Sequence, residues 1–215
     1  MIEYTNTSLA DKVYEVLEHN ILCGIYPPGE LITESRLATD LGVSRTPIRE
    51  AMSKLAHEKL IKETKSGVKV VGISEEDVKD LFEVKRRIEV LATKRAATNL
   101  SESKLELLKD NIKRQEFYAQ KGDAEKVRDL DTEFHDIIYK GCGSVTFETI
   151  LSPIHHKMMK FRRLSLESHD RIYDSVAEHK ALYEAIRDRD GDKAETIILL
   201  HIDHSYNNLK KEVIG

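Results

Sequence analysis

Residues 42–50, with the sequence GVSRTPIRE, constrain the fold more than any other stretch of this chain. Gly42 follows one helical pattern and Ser44 precedes another, so the chain is expected to turn sharply between two short helices. Arg45 and Arg49 lie four residues apart at the start of the second helix and therefore share one of its faces. This arrangement is typical of a helix-turn-helix, whose second helix enters the major groove of DNA.

Two helices are predicted before this turn. Apolar residues at helical spacing indicate a first helix that begins at Ser8 and ends at Gly24, just before a Pro-Pro-Gly sequence that prevents its continuation. Thr33 is expected to cap a second helix that ends at Leu41. Gly42 then supplies the left-handed residue that the turn requires.

The third helix is expected to present its polar first turn to DNA. Ser44 is its predicted N-cap, and because Pro47 has no N–H, the Ser44 side chain is expected to cap Thr46. Arginine binds guanine O6 and N7 or a phosphate, which are the contacts expected of Arg45 and Arg49. Ser44 and Thr46 suit phosphate contacts. The opposite face carries an apolar stripe at helical spacing: Ile48, Ala51, Met52 and Leu55.

A β-hairpin is predicted to follow these helices. Its strands are the β-prone runs 60–64 and 68–71, and Lys65, Ser66 and Gly67 form the turn between them. Three helices and a hairpin predict a winged helix-turn-helix over residues 1–73, with this turn entering a neighbouring minor groove. The charge agrees, because residues 44–69 hold seven basic and three acidic side chains, a sum of +4, whereas the whole chain carries −4.

The rest of the chain shows helical patterns only. The predicted fold class is therefore mainly α, with a second domain over residues 74–215 that forms an antiparallel bundle of about six helices. Short breaks separate the helices, which are predicted over residues 75–99, 102–121, 124–140, 145–167, 171–189 and 191–211.

Composition excludes several classes of protein. With 40% hydrophobic and 33% charged residues, the chain is an ordinary globular one. No apolar run approaches the ~20 residues that span a bilayer, and the first residues lack the features of a signal peptide. Cys23 and Cys142 are the only cysteines, which is no disulfide framework. We therefore expect a cytoplasmic protein without a membrane partner.

The first third of the chain resembles the DNA-binding domain of GntR-family bacterial regulators, over roughly residues 8–73. The segment that carries the resemblance is ILCGIYPPGELITESRLATDLGVSRTPIREAMSKLAHEKLIKETKSGVKVV. By position, the resemblance implies DNA contacts from Ser44, Arg45, Thr46 and Arg49, with the wing at residues 65–67. It also implies a transcription factor rather than an enzyme. Because one reading helix covers only a few base pairs, a homodimer on a palindromic operator is expected.

Four residues of the helical half are candidate metal ligands. Asp131 and His135 lie one helical turn apart, and His179 and His201 lie within the apolar stripes of two later helices. Burial of such groups without partners is costly. A shared Zn²⁺, Mn²⁺, Ni²⁺ or Fe²⁺ ion would satisfy all four, but so would separate hydrogen bonds to each of them. The pattern alone does not favour either interpretation.

The helical half also resembles the FCD domain of the FadR-type branch of this family, over about residues 77–205 and in segments such as DTEFH and AEHKALYEAIRDRDGDKA. Metal-binding FCD domains carry an aspartate, a histidine four residues later and two further histidines. The corresponding residues here are Asp131, His135, His179 and His201. The resemblance therefore implies one divalent metal ion per chain, with Zn²⁺ the first choice.

The same resemblance suggests an effector site. FCD proteins commonly have, at the position of Lys85, an arginine that holds an effector carboxylate. Lys85 and Arg162 are therefore candidate residues for binding a small organic acid beside the metal. The alternative is an ion pair between Lys85 and Glu89, with Arg162 on the surface.

Three functions follow from these residues. The leading hypothesis is a transcriptional regulator, a repressor by expectation, that a small organic acid controls from a site near the metal. The second is a regulator that responds to the metal ion alone. The third is a metal-dependent enzyme, whose diiron version is disfavoured because no histidine has a glutamate three residues before it.

Overall fold

The structure is a computed structural model that describes residues 8–22, 24–65, 67–165 and 169–210, and the side chains of these residues except 160–165 and 169–170. The chain divides into two compact units, Met1–Glu75 and Glu76–Gly215.

The first unit is a winged helix-turn-helix, which confirms the predicted fold of this region. Its elements in chain order are α1 (Leu9–Leu22), β1 (Leu31–Ile32), α2 (Glu34–Leu41), α3 (Arg45–His57), β2 (Ile61–Thr64) and β3 (Gly67–Val70). One hydrophobic core joins α1, α2, α3 and the strands, with Leu17, Leu37, Ile48 and Leu55 fully buried. The buried face of α3 therefore fixes which face of this helix remains exposed.

The turn between α2 and α3 follows the predicted chemistry at two of its three signals. The Thr33 side chain accepts from the Arg36 N–H, and Gly42 adopts a left-handed conformation with φ 64°. The Ser44 side chain makes no capping hydrogen bond, so its predicted bond to Thr46 is wrong. Since α3 begins at Arg45, the proline at position 47 is the third helical residue, and it removes the N–H that a serine cap most often bonds.

The wing contains one strand more than the hairpin that the sequence predicts. The strands β2 and β3 pair antiparallel, and β1 pairs antiparallel with the other edge of β3, which gives the order β1-β3-β2. A strand of two residues is too short to show a periodic pattern. At the tip, Gly67 has a φ of 130°, a conformation that favours glycine.

The second unit is the predicted helical bundle. It consists of α4 (Glu75–Val84), a π-helical turn (Lys85–Glu89), α5 (Val90–Asn99), α6 (Glu102–Gln120), α7 (Ala124–Gly141), α8 (Val145–Ser165), α9 (His169–Arg187) and α10 (Gly191–Leu209). The helix α6 packs against α7 and α9, α7 packs against α8, and α10 packs against α5 and α9. Within the described ranges, no helix is long and apolar enough to cross a membrane.

The π-helical turn interrupts a helix that the sequence predicts as continuous over residues 75–99. It begins at Lys85 and ends at Glu89, and both side chains are buried within the bundle. Single π-turns inside α-helices are frequent at functional sites, because the extra residue changes the direction of the neighbouring side chains. The two ends of this turn, Lys85 and Glu89, are therefore candidate functional residues.

Lys59 gives a direct test of the backbone in the first unit. Its side chain is exposed and its φ is 64°, a left-handed conformation that costs a non-glycine residue about 1–2 kcal/mol. Glycine removes this cost, and its greater loss of entropy on folding offsets only part of the gain. We therefore expect Lys59→Gly to raise the free energy of unfolding by about 0.5–1 kcal/mol, measured by urea denaturation. A neutral or destabilised variant would contradict this expectation.

Arg189 is the matched control, because its φ is 60° but its side chain is engaged. The guanidinium donates to the carbonyl oxygens of Ala97 and Leu100 and to Glu102. Arg189→Gly should therefore lower the free energy of unfolding, in contrast to Lys59→Gly.

Candidate nucleic-acid interface and metal centre

The exposed face of α3 contains the residues that the sequence assigns to DNA. Ser44, Arg45, Thr46 and Arg49 are all exposed, whereas Pro47 and the apolar stripe are buried. The helix begins at Arg45, so its N-terminal N–H groups, which carry partial positive charge, lie beside these side chains. The four residues thus form one exposed polar surface at the start of α3.

Both arginines of this surface are held by residues at the start of α2. The Arg49 guanidinium donates to the two carboxylate oxygens of Glu34 at 2.9 and 2.8 Å. Arg45 donates to the Ser35 hydroxyl. The hydrogen bond to Arg49 holds the pKa of Glu34 below its usual value. The pairing occupies one edge of the Arg49 guanidinium, formed by Nε and Nη2.

The tip of the wing is described in part. Lys65 and Gly67 lie at the turn between β2 and β3, and Ser66 falls outside the described residues. The Thr64 hydroxyl donates to the carbonyl oxygen of Gly67 at 2.7 Å. A basic side chain therefore stands at a tight turn, as the sequence predicts for a wing.

The four predicted metal ligands lie together inside the bundle. Asp131 and His135 come from α7, His179 from α9 and His201 from α10, and all four side chains are buried. One ligand atom from each of them lies within 4.8 Å of every other. Three helices thus place one carboxylate and three imidazoles around a single point.

Each of these imidazoles is held through its Nδ1 atom by an acceptor on another element. His135 contacts Glu89 Oε1 at 2.8 Å, His179 contacts Gln115 Oε1 at 2.8 Å, and His201 contacts Glu178 Oε2 at 2.7 Å. Because a carboxylate or amide oxygen can only accept, each Nδ1 carries the proton, and the Nε2 lone pair is left for another partner. Acceptors of this kind orient the histidine ligands of metal sites.

The protonation states are those of metal ligands. Burial lowers the pKa values of His179 and His201, which are therefore neutral near pH 7. Burial is the largest influence on Asp131 and opposes its ionisation, but the hydrogen bond from His155 and the electrostatic effects of His179, His135 and His155 together outweigh it and hold the pKa of Asp131 well below its usual range. A neutral imidazole and an ionised carboxylate are the forms that bind a metal.

Two observations test whether a metal ion fits these residues. The Nε2 atoms of His135 and His179 are buried and have no hydrogen-bond partner among the described residues, a costly state that a bound cation would relieve. The charged side chains around the site are Asp131, Glu89 and Glu178 against Lys85 and Arg171, which sum to −1. The donor set and the charge both fit a divalent cation.

His155 is one of the residues at this site that the sequence analysis does not identify. It lies on α8, is buried, and contacts Asp131 Oδ2 through its Nε2 at 3.1 Å. Its position one helical turn from Leu151 and from Met159, which are buried, was the available signal. Glu89, His135 and His155 form a second group whose ligand atoms lie within 4.8 Å of one another.

Of the two residues predicted to bind an effector, the structure describes the side chain of Lys85 but not that of Arg162. Lys85 is buried, and its Nζ lies 3.0 Å from Glu89 Oε2 and 2.9 Å from His155 Nδ1. The ion pair with Glu89 that the sequence offered as an alternative is therefore present. The side chain of Arg162 lies outside the described residues.

Comparisons with known proteins agree with the fold of both units. Residues 9–70 match the model of the bacterial regulatory proteins of the gntR family, and residues 80–204 match the FCD domain. An uncharacterized HTH-type transcriptional regulator of Bacillus subtilis, YdhC, is 27% identical over 202 residues, which are 93% of this chain and 90% of that protein. The gluconate operon transcriptional repressor of Bacillus licheniformis is 27% identical over 213 residues, or 92% and 82% of the two chains.

Solved structures share the fold along nearly the whole chain. Escherichia coli McbR/YncC superposes with a TM-score of 0.74 at 18% identity, over 96% of this chain and 99% of that one. Streptococcus agalactiae GntR gives a TM-score of 0.52 at 27% identity, over 92% and 99%. The reading helix, the wing, the helical bundle and the matched models lead to one conclusion: the chain belongs to the GntR family of bacterial transcriptional regulators and carries an FCD domain.

Proposed function

We propose that this GntR-type regulator is a repressor that binds a palindromic operator as a homodimer, and that a small organic acid controls it from a site beside a buried divalent metal ion. Residues 1–73 make the DNA contacts and residues 74–215 bind the metal and the effector. The observation that carries the proposal is the convergence of Asp131, His135, His179 and His201, whose ligand atoms lie within 4.8 Å of one another and include two buried imidazole nitrogens without a hydrogen-bond partner among the described residues.

Zn²⁺ is the metal that we propose first. Three imidazoles and one carboxylate are common zinc ligands, and Mn²⁺, Ni²⁺ and Fe²⁺ accept the same set with additional open positions. When bound, the ion supplies a Lewis-acid position for a carboxylate oxygen. The protein's own residues hold the imidazoles in the ligating tautomer through Glu89, Gln115 and Glu178.

The class of effector follows from the charge of the site. A small carboxylate is attracted both by a divalent cation and by the ammonium of Lys85. One relative is named as the repressor of a gluconate operon, and gluconate is a small hydroxycarboxylate, which supports this class. An effector changes DNA affinity only if it binds one of two conformations more tightly than the other.

A second candidate function is a regulator that responds to the metal ion alone. The cavity beside the metal ligands, which Lys85, His155, Met158, Met159 and His201 help to line, has a volume of about 10 Å³. That volume holds about one water molecule, so an organic acid would enter only if the bundle opened. Lys85 is also engaged by Glu89 and His155, which favours a site without an organic effector.

A thermal-shift panel separates the two candidates. We expect a small carboxylate, tested at ~100 times its Kd, to stabilise the Zn²⁺-loaded protein by about 2.7 kcal/mol and the metal-stripped protein not at all. Stabilisation of both forms would place the acid away from the metal. If none of the carboxylates acts and operator affinity follows the free Zn²⁺ concentration, the metal-responsive function is correct.

A further inference from the structure

Both ring nitrogens of His155 are engaged inside the bundle. Its Nδ1 lies 2.9 Å from Lys85 Nζ, and its Nε2 lies 3.1 Å from Asp131 Oδ2. An ammonium group can only donate, so His155 Nδ1 must accept from Lys85. The imidazole then carries its proton on Nε2 and donates it to Asp131. In this tautomer His155 Nε2 has no free lone pair and cannot bind a metal ion. It donates a hydrogen bond to Asp131, which is a proposed metal ligand.

Lys85 is itself fixed on its other side. Its Nζ lies 3.0 Å from Glu89 Oε2, while Glu89 Oε1 accepts from Tyr139 at 2.6 Å and from His135 at 2.8 Å. The π-helical turn places Lys85 and Glu89 in the bundle together. A continuous chain of polar contacts therefore runs from Asp131 through His155, Lys85 and Glu89 to His135. This chain connects two ligands of the proposed metal site, Asp131 and His135, through residues that are not themselves among the four proposed ligands.

The effect of this chain falls on the Asp131 carboxylate. Its Oδ2 atom accepts from His155, whereas its Oδ1 atom lies 3.6 Å from the unpaired Nε2 of His179. The two oxygens thus differ: Oδ2 is occupied by a hydrogen bond, and Oδ1 lies on the side of His179 Nε2. A carboxylate whose second oxygen is occupied binds a metal through one oxygen only.

We propose that His155, held by Lys85, is a positioning residue that makes Asp131 a monodentate ligand. This inference rests on the metal site proposed above. Four protein donor atoms then bind the ion, one from Asp131 and three from imidazoles, and a metal that accepts five or six ligands retains open positions for water or a carboxylate. Lys85 then acts on the metal ligand through His155, in addition to the attraction that its charge exerts on a carboxylate.

The use of lysine rather than arginine is consistent with this role. Lysine presents a compact charge with three donors, which can contact an imidazole nitrogen and a carboxylate oxygen at once. The planar fork of arginine is suited to the two oxygens of one carboxylate instead. The residue type thus matches the two different acceptors that the structure places around Lys85.

Two substitutions of His155 test the proposal in the full-length protein loaded with Co²⁺. His155→Gln keeps one donor for Asp131 and one acceptor for Lys85, whereas His155→Leu removes both. We expect His155→Gln to retain the d–d absorption spectrum and the Co²⁺ Kd of the unmodified protein. In His155→Leu, Asp131 is free to bind through both oxygens, so the d–d absorption should weaken as the coordination number rises, with a Kd ~10–100 times higher.

Each outcome is decisive. An unchanged spectrum and Kd in His155→Leu would overturn the proposal, as would a His155→Gln variant that departs from the unmodified protein as far as His155→Leu does. His155→Met replaces His155→Leu if the leucine variant does not fold. If the unmodified protein binds no Co²⁺, the proposed metal site fails, which is a different result from Co²⁺ binding that ignores His155.

Discussion

Arg49→Ala is expected to lower operator affinity by about 2–6 kcal/mol per dimer, a loss of at least ~30-fold, because each subunit loses one bidentate contact of about 1–3 kcal/mol. The measurement is fluorescence anisotropy on a duplex selected by the unmodified protein from a random-sequence library. Arg49 is exposed, and its contact is a surface ion pair with Glu34, so the fold should be retained. Circular dichroism and an unchanged melting temperature check this.

Arg45→Ala should act in the same direction, since Arg45 is the first residue of α3 and its guanidinium donates to the exposed Ser35 hydroxyl. An operator affinity that neither substitution changes would contradict the assignment of this face to DNA.

Glu34→Gln is the matched control for these two substitutions. It keeps the shape of the side chain that accepts from Arg49 but removes a negative charge beside the DNA surface. We expect affinity for a scrambled duplex to rise several-fold, by about 1 kcal/mol, and to fall again with added salt. A Glu34→Gln variant that loses all DNA binding would mean that Glu34 supports the fold rather than the surface.

Removal of the metal is expected to have the second large effect. A ligand present at ~1,000 times its Kd stabilises the folded state by about 4 kcal/mol, which corresponds to roughly 10 °C in a domain of this size. Chelator-treated protein should therefore melt about 10 °C lower than Zn²⁺-loaded protein, by calorimetry of the helical unit's transition. The physical reason is that the lone pairs of His135 and His179 lose the cation that they face.

The contrast between two histidine variants makes this result specific. In His179→Ala, loaded and stripped protein should melt at the same temperature, whatever the cost of the substitution itself. His156 is exposed and contacts Asp136 rather than the ligand set, so His156→Ala should keep the full metal-dependent shift. Equal shifts in both variants would exclude His179 as a ligand.

The elements of the fold could be predicted because they rest on local chemistry. Thr33, Gly42 and the apolar stripe of α3 define the helix-turn-helix within a few residues of sequence, and helical periodicity defines α5 to α10. Features that depend on pairing between distant segments were missed. The strand β1 exists because Leu31 and Ile32 meet β3, and two residues carry no pattern of their own.

In the candidate site, too, the residues that follow a local pattern could be predicted, and those that depend on contacts between distant segments could not. Asp131 and His135 share one helix face, and His179 and His201 interrupt apolar stripes, so the four candidate ligands could be identified from periodicity and from the resemblance to FCD domains. Their partners Glu89, Gln115 and Glu178 lie 23 to 64 residues away along the chain. Only the packing of several helices brings these acceptors to the imidazoles, and no local pattern specifies that.

The sequence wrongly predicts a capping bond from Ser44 to Thr46, and it does not identify His155 as part of the site. Each of these has a separate physical cause. The proline at position 47 removes a donor that the cap would use, and its alternative at Thr46 is not taken up. His155 lies in an apolar stripe of α8, but its role depends on Lys85, and Lys85 reaches it from a π-helical turn. The sequence around Lys85 predicts an ordinary helix.

The most direct test of the account is selection of DNA from a random duplex library by the Zn²⁺-loaded protein, followed by sequencing of the bound fraction. We expect an inverted repeat whose two half-sites are each lost when Arg49 is replaced by alanine. Bound DNA without an enriched sequence, or the same enriched sequence from the Arg49→Ala protein, would contradict the account.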